Sequence, residues 1–383
     1  MKKKKVAILH NIISPHVIPL FERLGKQKEI EAKVFFCSES EGNRIWDTDV
    51  GDKFTYKILP KFKIEIRGRD LFTYFINPTV IFELAKYNPD IVISAGWDLF
   101  SYQVALFYAK IFGKKFILWS GSTEHEPSWR RTLAIPLVKL MVAGSDAYIV
   151  YGTRAKEYLI SLGAKPEKIF IAYNTTDINF FKNEVDKWRE QKTKIKKELG
   201  IKTSKVVLYV GQLIERKGVK YLIEAFEKLK EEFKDVSLLI VGYGSLEDKL
   251  KSMIKRRKIS DVIFAGGLEW RQTPKFYAVS DVLVMPSLEE VWGLVINEAM
   301  VAGLPVIGTS IAGASIDLIK PNENGFIIKP GSTEEIYQVL RTILKNESLI
   351  KRMSLNSLIF IKNFVPERAM KGVLGTISFV SRD

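Results

Sequence analysis

The segment SLEEVWGLVINEAMVAGLPV (287–306) carries two carboxylates in the pattern Glu-x7-Glu, at Glu290 and Glu298. It begins where the apolar run DVLVMPS predicts a strand, and LVINEAMVAG predicts a helix. Glu290 then lies in the loop at the strand's carboxyl end, and Glu298 on the helix's apolar stripe. A buried carboxylate needs hydrogen-bond donors, and the vicinal hydroxyls of a sugar offer two side by side. At the predicted helix start, Gly293 and Leu294, backbone N–H groups can bind an anion.

Both glutamates also have ordinary structural interpretations. A carboxylate near a helix start interacts favourably with the helix dipole, which would account for Glu290. Glu298 can equally pair with a buried lysine or lie half exposed. The spacing alone leaves these alternatives open, so other segments have to decide between them.

A basic loop, GQLIERKG (211–218), follows another predicted strand and precedes an amphipathic helix. Arginine binds phosphate through two parallel hydrogen bonds and lysine adds a compact charge, so Arg216 and Lys217 suit a diphosphate. A solvated basic turn is the alternative for this loop taken by itself. Glycines that allow close approach to the backbone stand at strand ends: Gly211, Gly242 and Gly244. Cations, glycines and carboxylates together indicate a nucleotide-sugar site.

The elements that must position these residues alternate along the chain as short apolar runs and helical patterns, which is typical of parallel α/β folds. A length of 383 residues predicts two domains. We expect doubly wound, Rossmann-like domains over 1–177 and 178–365, facing a cleft that holds the site. A further helix is expected over 366–383. The predicted strands are KVAILH, AKVFFC, DIVISAG, KFILWS, DAYIVYG, KVVLYVG, SLLIVG, VIFAGG, DVLVMPS, PVIGTS and GFIIKP.

The composition excludes several classes of protein. The single cysteine, Cys37, rules out an internal disulfide framework and fits a reducing compartment. No apolar run reaches the roughly 20 residues that span a bilayer, and MKKKKVAILHN predicts a first strand rather than a signal peptide. The formal charge of +15 would suit nucleic acid or anionic lipid, but the lysines are widely dispersed. We therefore expect a cytoplasmic globular protein without a nucleic-acid partner.

The sequence resembles the retaining glycosyltransferases with two Rossmann domains (GT-B), specifically glycosyltransferase family 4. The Glu-x7-Glu motif is specific to that family, and GQLIERKG, VGYGSLEDKL and FYAVSDVLVMPS extend the likeness over roughly 205–330. YNTTD (173–177) resembles the family's linker between domains, and HNIISPHVIPLFERL carries a looser resemblance. The family implies transfer of a sugar from a UDP-, GDP- or ADP-linked donor to a glycan or lipid-linked acceptor, with retention and without a metal or other cofactor. It also implies that the last helix crosses back onto the first domain.

The resemblance implies a role for each site residue. Arg216 and Lys217 would hold the donor diphosphate and stabilise it as it leaves. Glu290 would contact the donor sugar, and Glu298 the ribose hydroxyls. Further substrate contacts are expected from backbone near the helix start, from the FAGGLEW loop where the base is expected, and from the first domain: Trp292, Gly293, Leu294, Gly211, Gly242, Gly244, Leu268, His16 and His125.

Two positions depart from the family's pattern. Many members carry arginine where this chain has Gln212, so less positive charge serves the diphosphate. Members often place a histidine near the position of Ser120, and His125 is a candidate substitute for it. Asp47 and Asp49 mimic a metal-binding Asp-x-Asp, but their irregular polar surroundings favour no metal role.

Rival functions remain open. An epimerase or phosphorylase on the same scaffold would use the same donor, and a basic nucleic-acid-binding protein would use the charge. The segments WRR (129–131) and KFKIEIRGRD (61–70) give the latter thin support. We interpret them as an acceptor-side or membrane-surface patch on the first domain, which together with LFTYF (71–75) could approach an anionic bilayer carrying a lipid-linked acceptor. The protein would then be peripheral at the inner membrane face.

Overall fold

The computed structural model describes residues 3–40, 50–67, 71–125, 129–267 and 269–382. The chain forms two compact units, Met1–Asn174 with Pro366–Asp383, and Thr175–Val365. We call them unit 1 and unit 2. The sequence-based boundary stands at residue 177, and the observed one at Asn174. Among the described residues, no helix is both long and apolar enough to cross a bilayer.

Unit 1 is built on a parallel sheet of seven strands in the order β3-β2-β1-β6-β7-β8-β9. An antiparallel hairpin, β4–β5, is inserted between β3 and β6. Its strands are β1 (Lys4–Ile12), β2 (Ile30–Ser38), β3 (Tyr56–Ile58), β4 (Phe62–Arg67), β5 (Leu71–Ile76), β6 (Ile91–Ser94), β7 (Lys115–Ser120), β8 (Ala147–Val150) and β9 (Ile169–Ile171). Its helices are α1 (Ile18–Gly25), α2 (Val80–Tyr87), α3 (Phe100–Ile111), α4 (Trp129–Ala143), α5 (Thr153–Ser161) and α15 (Pro366–Val380).

The strands of unit 1 are apolar on both faces because helices cover the sheet on both sides. Within β1, Ala7 and Leu9 enter one core and Val6 and Ile8 the other. The first core is formed with α2, α3, α4 and α5, and the second with α1 and α15. Gly113, after α3, and Gly163, after α5, have the positive φ angles of residues that end a helix, +61° and +101°.

The last helix, α15, belongs to unit 1 although it follows unit 2 in sequence. Gly372 permits this packing, because a Cβ there would lie only 2.2 Å from the carbonyl oxygen of Ile171. Glu367 at the start of α15 forms an ion pair with Arg23 of α1, with 2.7 Å between NH2 and Oε1.

Unit 2 is built on a parallel sheet of six strands in the order β12-β11-β10-β13-β14-β15. The strands are β10 (Lys205–Val210), β11 (Val236–Val241), β12 (Val262–Gly266), β13 (Val282–Met285), β14 (Val306–Thr309) and β15 (Gly325–Ile328). The helices are α6 (Ile178–Arg189), α7 (Lys192–Glu198), α8 (Val219–Glu232), α9 (Glu247–Arg257), α10 (Pro274–Val279), α11 (Leu294–Val301), α12 (Gly313–Leu318), α13 (Thr333–Leu344) and α14 (Glu347–Ile361). The strand order reverses between β10 and β13, and ligands of doubly wound sheets bind at such a switch point.

Candidate active site

The loops that follow β10 and β13 meet at the switch point of unit 2. Gly218 makes this possible, because its φ is +65° and a Cβ there would lie 2.1 Å from the carbonyl oxygen of Pro286. The carbonyl of Arg216 accepts hydrogen bonds from the backbone N–H groups of Leu288 (2.8 Å) and Glu289 (3.1 Å). The basic loop and the loop carrying the first glutamate of the motif are therefore one rigid substructure.

Lys217 and Glu290 are brought together at this place. Lys217 Nζ donates to Glu290 Oε2 at 2.5 Å, and both side chains are half-buried. Ser287 Oγ lies 3.4 Å from the same oxygen. The sequence had assigned the two charges to separate parts of a ligand, whereas the structure pairs them. Because the lysine is a charged donor, it holds the Glu290 carboxylate in one orientation at the carboxyl ends of β10 and β13.

Arg216 stands beside this pair. Its NH2 group donates to Gln212 Oε1 at 3.5 Å, a long hydrogen bond. Gln212 stands where many members of the family carry arginine. In this chain it contacts the guanidinium group of Arg216.

The start of α11 lies next to Glu290. Gly293 has φ +98°, and a Cβ there would lie 2.6 Å from Met285 Sδ and 3.6 Å from Glu290 Cγ. Only glycine fits this position, so α11 begins at Leu294 directly beside the carboxylate. The first N–H groups of a helix have no partner within it, which gives the site a second anion-binding element.

Trp292 is packed inside unit 2. Its ring is buried, and a Cβ on Gly313 would lie 2.9 Å from it. Its indole N–H donates to Asn297 Oδ1 at 2.9 Å. These contacts fasten the start of α11 to the start of α12, and the expected contact of Trp292 with substrate stays a prediction.

Glu298 lies inside unit 2, with its carboxylate held by two aromatic donors. Trp270 Nε1 donates to Oε1 at 2.7 Å, and the Tyr277 hydroxyl donates to Oε2 at 2.5 Å. Burial raises the pKa of Glu298 to about 7, although both hydrogen bonds lower it. A buried carboxylate needs hydrogen-bond donors, and the sequence suggested sugar hydroxyls for this role. In the structure, Trp270 and Tyr277 supply two such donors. A carboxylate has about four acceptor positions, and these two hydrogen bonds occupy two of them. The expected contact of Glu298 with ribose hydroxyls stays a prediction.

Aromatic packing fixes those two donors. Trp270 packs against Phe180 of α6 with 5.1 Å between ring centroids, and Phe181 packs edge-on against Tyr277 at 5.1 Å. The sequence analysis did not predict that Trp270 and Tyr277 donate to Glu298. The signal available in the sequence was the presence of two aromatic hydrogen-bond donors shortly before the motif.

The glycines after β10 and β11 have a structural reason that the sequence did not show. A Cβ on Gly242 would lie 1.8 Å from the carbonyl oxygen of Gly211, and one on Gly244 would lie 2.4 Å from that of Leu213. The close approach these glycines permit is therefore between the two loops themselves. The expected contact of Gly211, Gly242 and Gly244 with a ligand stays a prediction.

The remaining expected positions belong to unit 1 or fall outside the described residues. His16 and His125 belong to unit 1, where the backbone N–H of His16 donates to Ser14 Oγ at 3.3 Å and His125 Nε2 lies 3.4 Å from Glu124 Oε1. Ser120 ends β7 and is buried. Three positions fall outside the described residues: Leu268, Asp47 and Asp49. Within the described ranges, no three His, Cys, Asp or Glu side chains are grouped so that they could hold a metal ion.

Comparison with known proteins shows which family this region resembles. Residues 191–358 match the family model of glycosyl transferases group 1. This part of the chain is therefore similar to glycosyl transferases group 1. Residues 191–358 contain Arg216, Lys217, Glu290 and Glu298, and they include both loops that meet at the switch point of unit 2.

Relatives of this region include an uncharacterised glycosyltransferase of Methanocaldococcus jannaschii, 33% identical over 184 residues, which are 47% of this chain and 46% of the relative. The N-acetyl-alpha-D-glucosaminyl L-malate synthase of Bacillus anthracis is 31% identical over 192 residues, which are 49% and 48% of the two chains. The match thus spans about half the length of these curated relatives.

The fold of both units is that of solved GT-B proteins. The structure of HepE of Anabaena in complex with UDP matches with a TM-score of 0.74 at 18% identity, over 98% of this chain and 99% of HepE. HepE has also been crystallised with UDP-glucose. The predicted class, α/β with two Rossmann-like parallel-sheet domains, is confirmed.

Proposed function

We propose that this chain is a glycosyltransferase that moves a sugar from a nucleotide-diphosphate donor to a glycan or lipid-linked acceptor. The observation that carries this proposal is the Lys217–Glu290 ion pair, with Arg216 beside it, at the switch point of unit 2, in the region that is similar to glycosyl transferases group 1. Cations, a carboxylate and a helix start lie together there, and these are the groups that a diphosphate joined to a sugar requires.

The diphosphate would bind between Arg216, Lys217 and the start of α11. Lys217 has three N–H donors, so it can keep its bond to Glu290 while donating to a phosphate oxygen. The lysine also neutralises Glu290, which would otherwise repel the phosphates. The remaining acceptor positions of Glu290 are available to hydroxyls of the donor sugar.

The nucleoside would lie toward Glu298. Its two remaining acceptor positions suit the vicinal hydroxyls of ribose, and Trp270 and Tyr277 hold the carboxylate in place. We put UDP first among the donor nucleotides because HepE, which shares the fold, binds UDP and UDP-glucose.

In the reaction, the bond between the anomeric carbon and the diphosphate oxygen breaks. The acceptor oxygen bonds to that carbon on the same face, and the acceptor's proton passes to a donor phosphate oxygen. Arg216 and Lys217 stabilise the negative charge that develops on the leaving diphosphate, so we propose a retaining transfer that needs no metal. With a lipid-linked acceptor, the enzyme would work at the inner face of the membrane.

Thermal unfolding with a panel of UDP, GDP, ADP and their sugar conjugates tests the donor site. A nucleotide at about 100 times its dissociation constant should stabilise the native state by about 2.7 kcal/mol. We expect that stabilisation for one nucleotide with the wild type, and much less with Arg216→Ala or Lys217→Ala. Lys220→Ala is the matched control, since Lys220 is exposed on the adjoining helix α8. A panel in which no nucleotide shifts the wild type would overturn the proposal.

Incubating the same donors with and without acceptor, in the presence of EDTA, tests the chemistry. Transfer in EDTA with an unchanged anomeric configuration supports the proposed reaction. Epimerised donor, or phosphorolysis without transfer, would assign another reaction to the site.

A further inference from the structure

Helix α3 in unit 1 is apolar on its outer face as well as its inner face. Its inner residues Tyr102, Leu106 and Ala109 lie in the core. Three apolar residues face outward at i, i+7 and i+11, namely Phe100, Phe107 and Ile111, while Val104 between them is half-buried and packs against the core. Phe107 is 53% exposed and Ile111 is 72% exposed. A helix that is hydrophobic all round is normally covered on every side, so this outer stripe calls for a partner.

The neighbouring helices continue the outer stripe. The Tyr108 hydroxyl of α3 donates to the Leu84 carbonyl of α2 at 3.2 Å, and α2 exposes Phe82 to 72%. On the other side, a Cβ on Gly144, just after α4, would lie 2.9 Å from Leu106 of α3. We define the α3 face by its exposed apolar residues: Ile81, Phe82, Phe100, Phe107, Ile111, Phe112 and Leu140. These are most of the large hydrophobic side chains that the described residues expose, and a contiguous group of this kind marks an interaction surface.

Basic side chains alternate with these apolar ones. Lys86 follows Phe82 by one turn, Lys110 lies between Phe107 and Ile111, and Lys139 precedes Leu140. Among the side chains that the structure describes, α2, α3 and α4 carry three basic residues and one acidic residue: Lys86, Lys110, Lys139 and Glu83. Glu83 pairs with Lys57 at 2.7 Å, and Lys110 with Asp146 at 3.3 Å. The three helices therefore combine exposed apolar side chains with an excess of positive charge.

We propose that the α3 face docks on an anionic lipid bilayer. Apolar side chains enter the boundary between headgroups and acyl chains, while lysines contact anionic headgroups. A second copy of the chain fits this surface less well, because a two-fold interface would bring the same lysines together. The inference rests on the proposed function, since it names the surface that brings unit 1 to a lipid-linked acceptor.

The surface differs from the patch expected from the sequence. In LFTYF (71–75), Phe75 is buried and Tyr74 packs against the core, so this strand does not present a continuous apolar edge. In the hairpin, Phe62 and Ile64 of β4 are exposed. Among the side chains that the structure describes in unit 1, more exposed apolar ones lie on the helices than on this hairpin.

The test is flotation of the full chain with vesicles of phosphatidylglycerol and phosphatidylcholine, and with vesicles of phosphatidylcholine alone. We expect wild type to bind the anionic vesicles at low salt and to bind the neutral vesicles much less. Phe107→Ser with Ile111→Ser should lower the partition coefficient at least about tenfold. The control is Leu355→Ser with Ile359→Ser on α14 of unit 2, with the same spacing and similar exposures of 62% and 57%, and it should bind like wild type.

Three results would overturn the proposal. They are no flotation of wild type with anionic vesicles, an equal loss in both double variants, or a sedimentation change from dimer to monomer in Phe107→Ser/Ile111→Ser without lipid binding. The last result would make the α3 face an interface between copies. Because the substituted side chains are exposed, unfolding temperatures should match wild type. The nucleotide shift measured on the same samples separates a failed membrane proposal from a failed donor site.

Discussion

The pH dependence of stability should change when the buried carboxyl of Glu298 is replaced by an amide. Burial holds the pKa of this group at about 7 in the folded protein, against an ordinary value of 4.5. Between these two pH values the folded protein keeps a proton that the unfolded chain has released. Stability therefore falls as the pH rises through this range, by about 3 kcal/mol for this group alone. Below pH 4.5 the penalty is absent, and above pH 7 it is complete.

Glu298→Gln keeps the shape of the side chain and cannot ionise. Its carbonyl oxygen can accept from the Trp270 N–H, and the Tyr277 hydroxyl can turn to accept from the new amide. The new amide, Trp270 and Tyr277 would each then keep a hydrogen-bond partner. We expect the variant to gain about 3 kcal/mol relative to wild type between about pH 5 and pH 8.

The assay is calorimetric unfolding of both proteins across this pH range. The transition of unit 2 should be fitted separately, because a chain of two compact units does not unfold in two states. Comparing wild type with variant cancels the titration of distant groups. Glu323→Gln, at an exposed position, should follow the wild-type curve. Parallel curves for wild type and Glu298→Gln would show that Glu298 is ionised throughout, contrary to its burial.

Three further changes probe the framework of the two units. Burial lowers the pKa of His10 to about 4, so unit 1 should lose about 3 kcal/mol as the pH falls from 6.5 to 4, and His10→Gln should remove this loss in acid titrations followed by calorimetry. Gly218→Ala should cost about 3 kcal/mol or more in thermal unfolding, because its Cβ would clash with the loop after β13, whereas Gly200→Ala, with φ +72° and open space, should cost only about 1–2 kcal/mol. Trp270→Phe keeps the ring but removes one donor to Glu298, so it should cost about 1–3 kcal/mol at pH 8 and less at pH 5, and equal costs at both values would contradict this role.

Local patterns predicted eleven of the thirteen strands in the two parallel sheets, because a parallel strand is usually a short apolar run, and they missed the three-residue strands β3 and β9. The runs KVVLYVG and DVLVMPS became β10 and β13, and the carboxyl end of a strand is readable from its own sequence. The β4–β5 hairpin was missed, although FKIEIR alternates apolar and charged residues as a strand does. Its charge was interpreted instead as a surface patch.

The sequence by itself determined which loops carry cations and carboxylates, because those loops follow recognisable strands. Only the tertiary structure decided how the charges are paired. Lys217 and Glu290 are 73 residues apart and meet because β10 and β13 are neighbours across the switch point. In the same way, Glu298 receives its hydrogen bonds from Trp270 and Tyr277, whose positions depend on packing against α6. Spacing along a chain fixes the face of one element, whereas the partner of a buried charge depends on which elements the folded sheet places side by side.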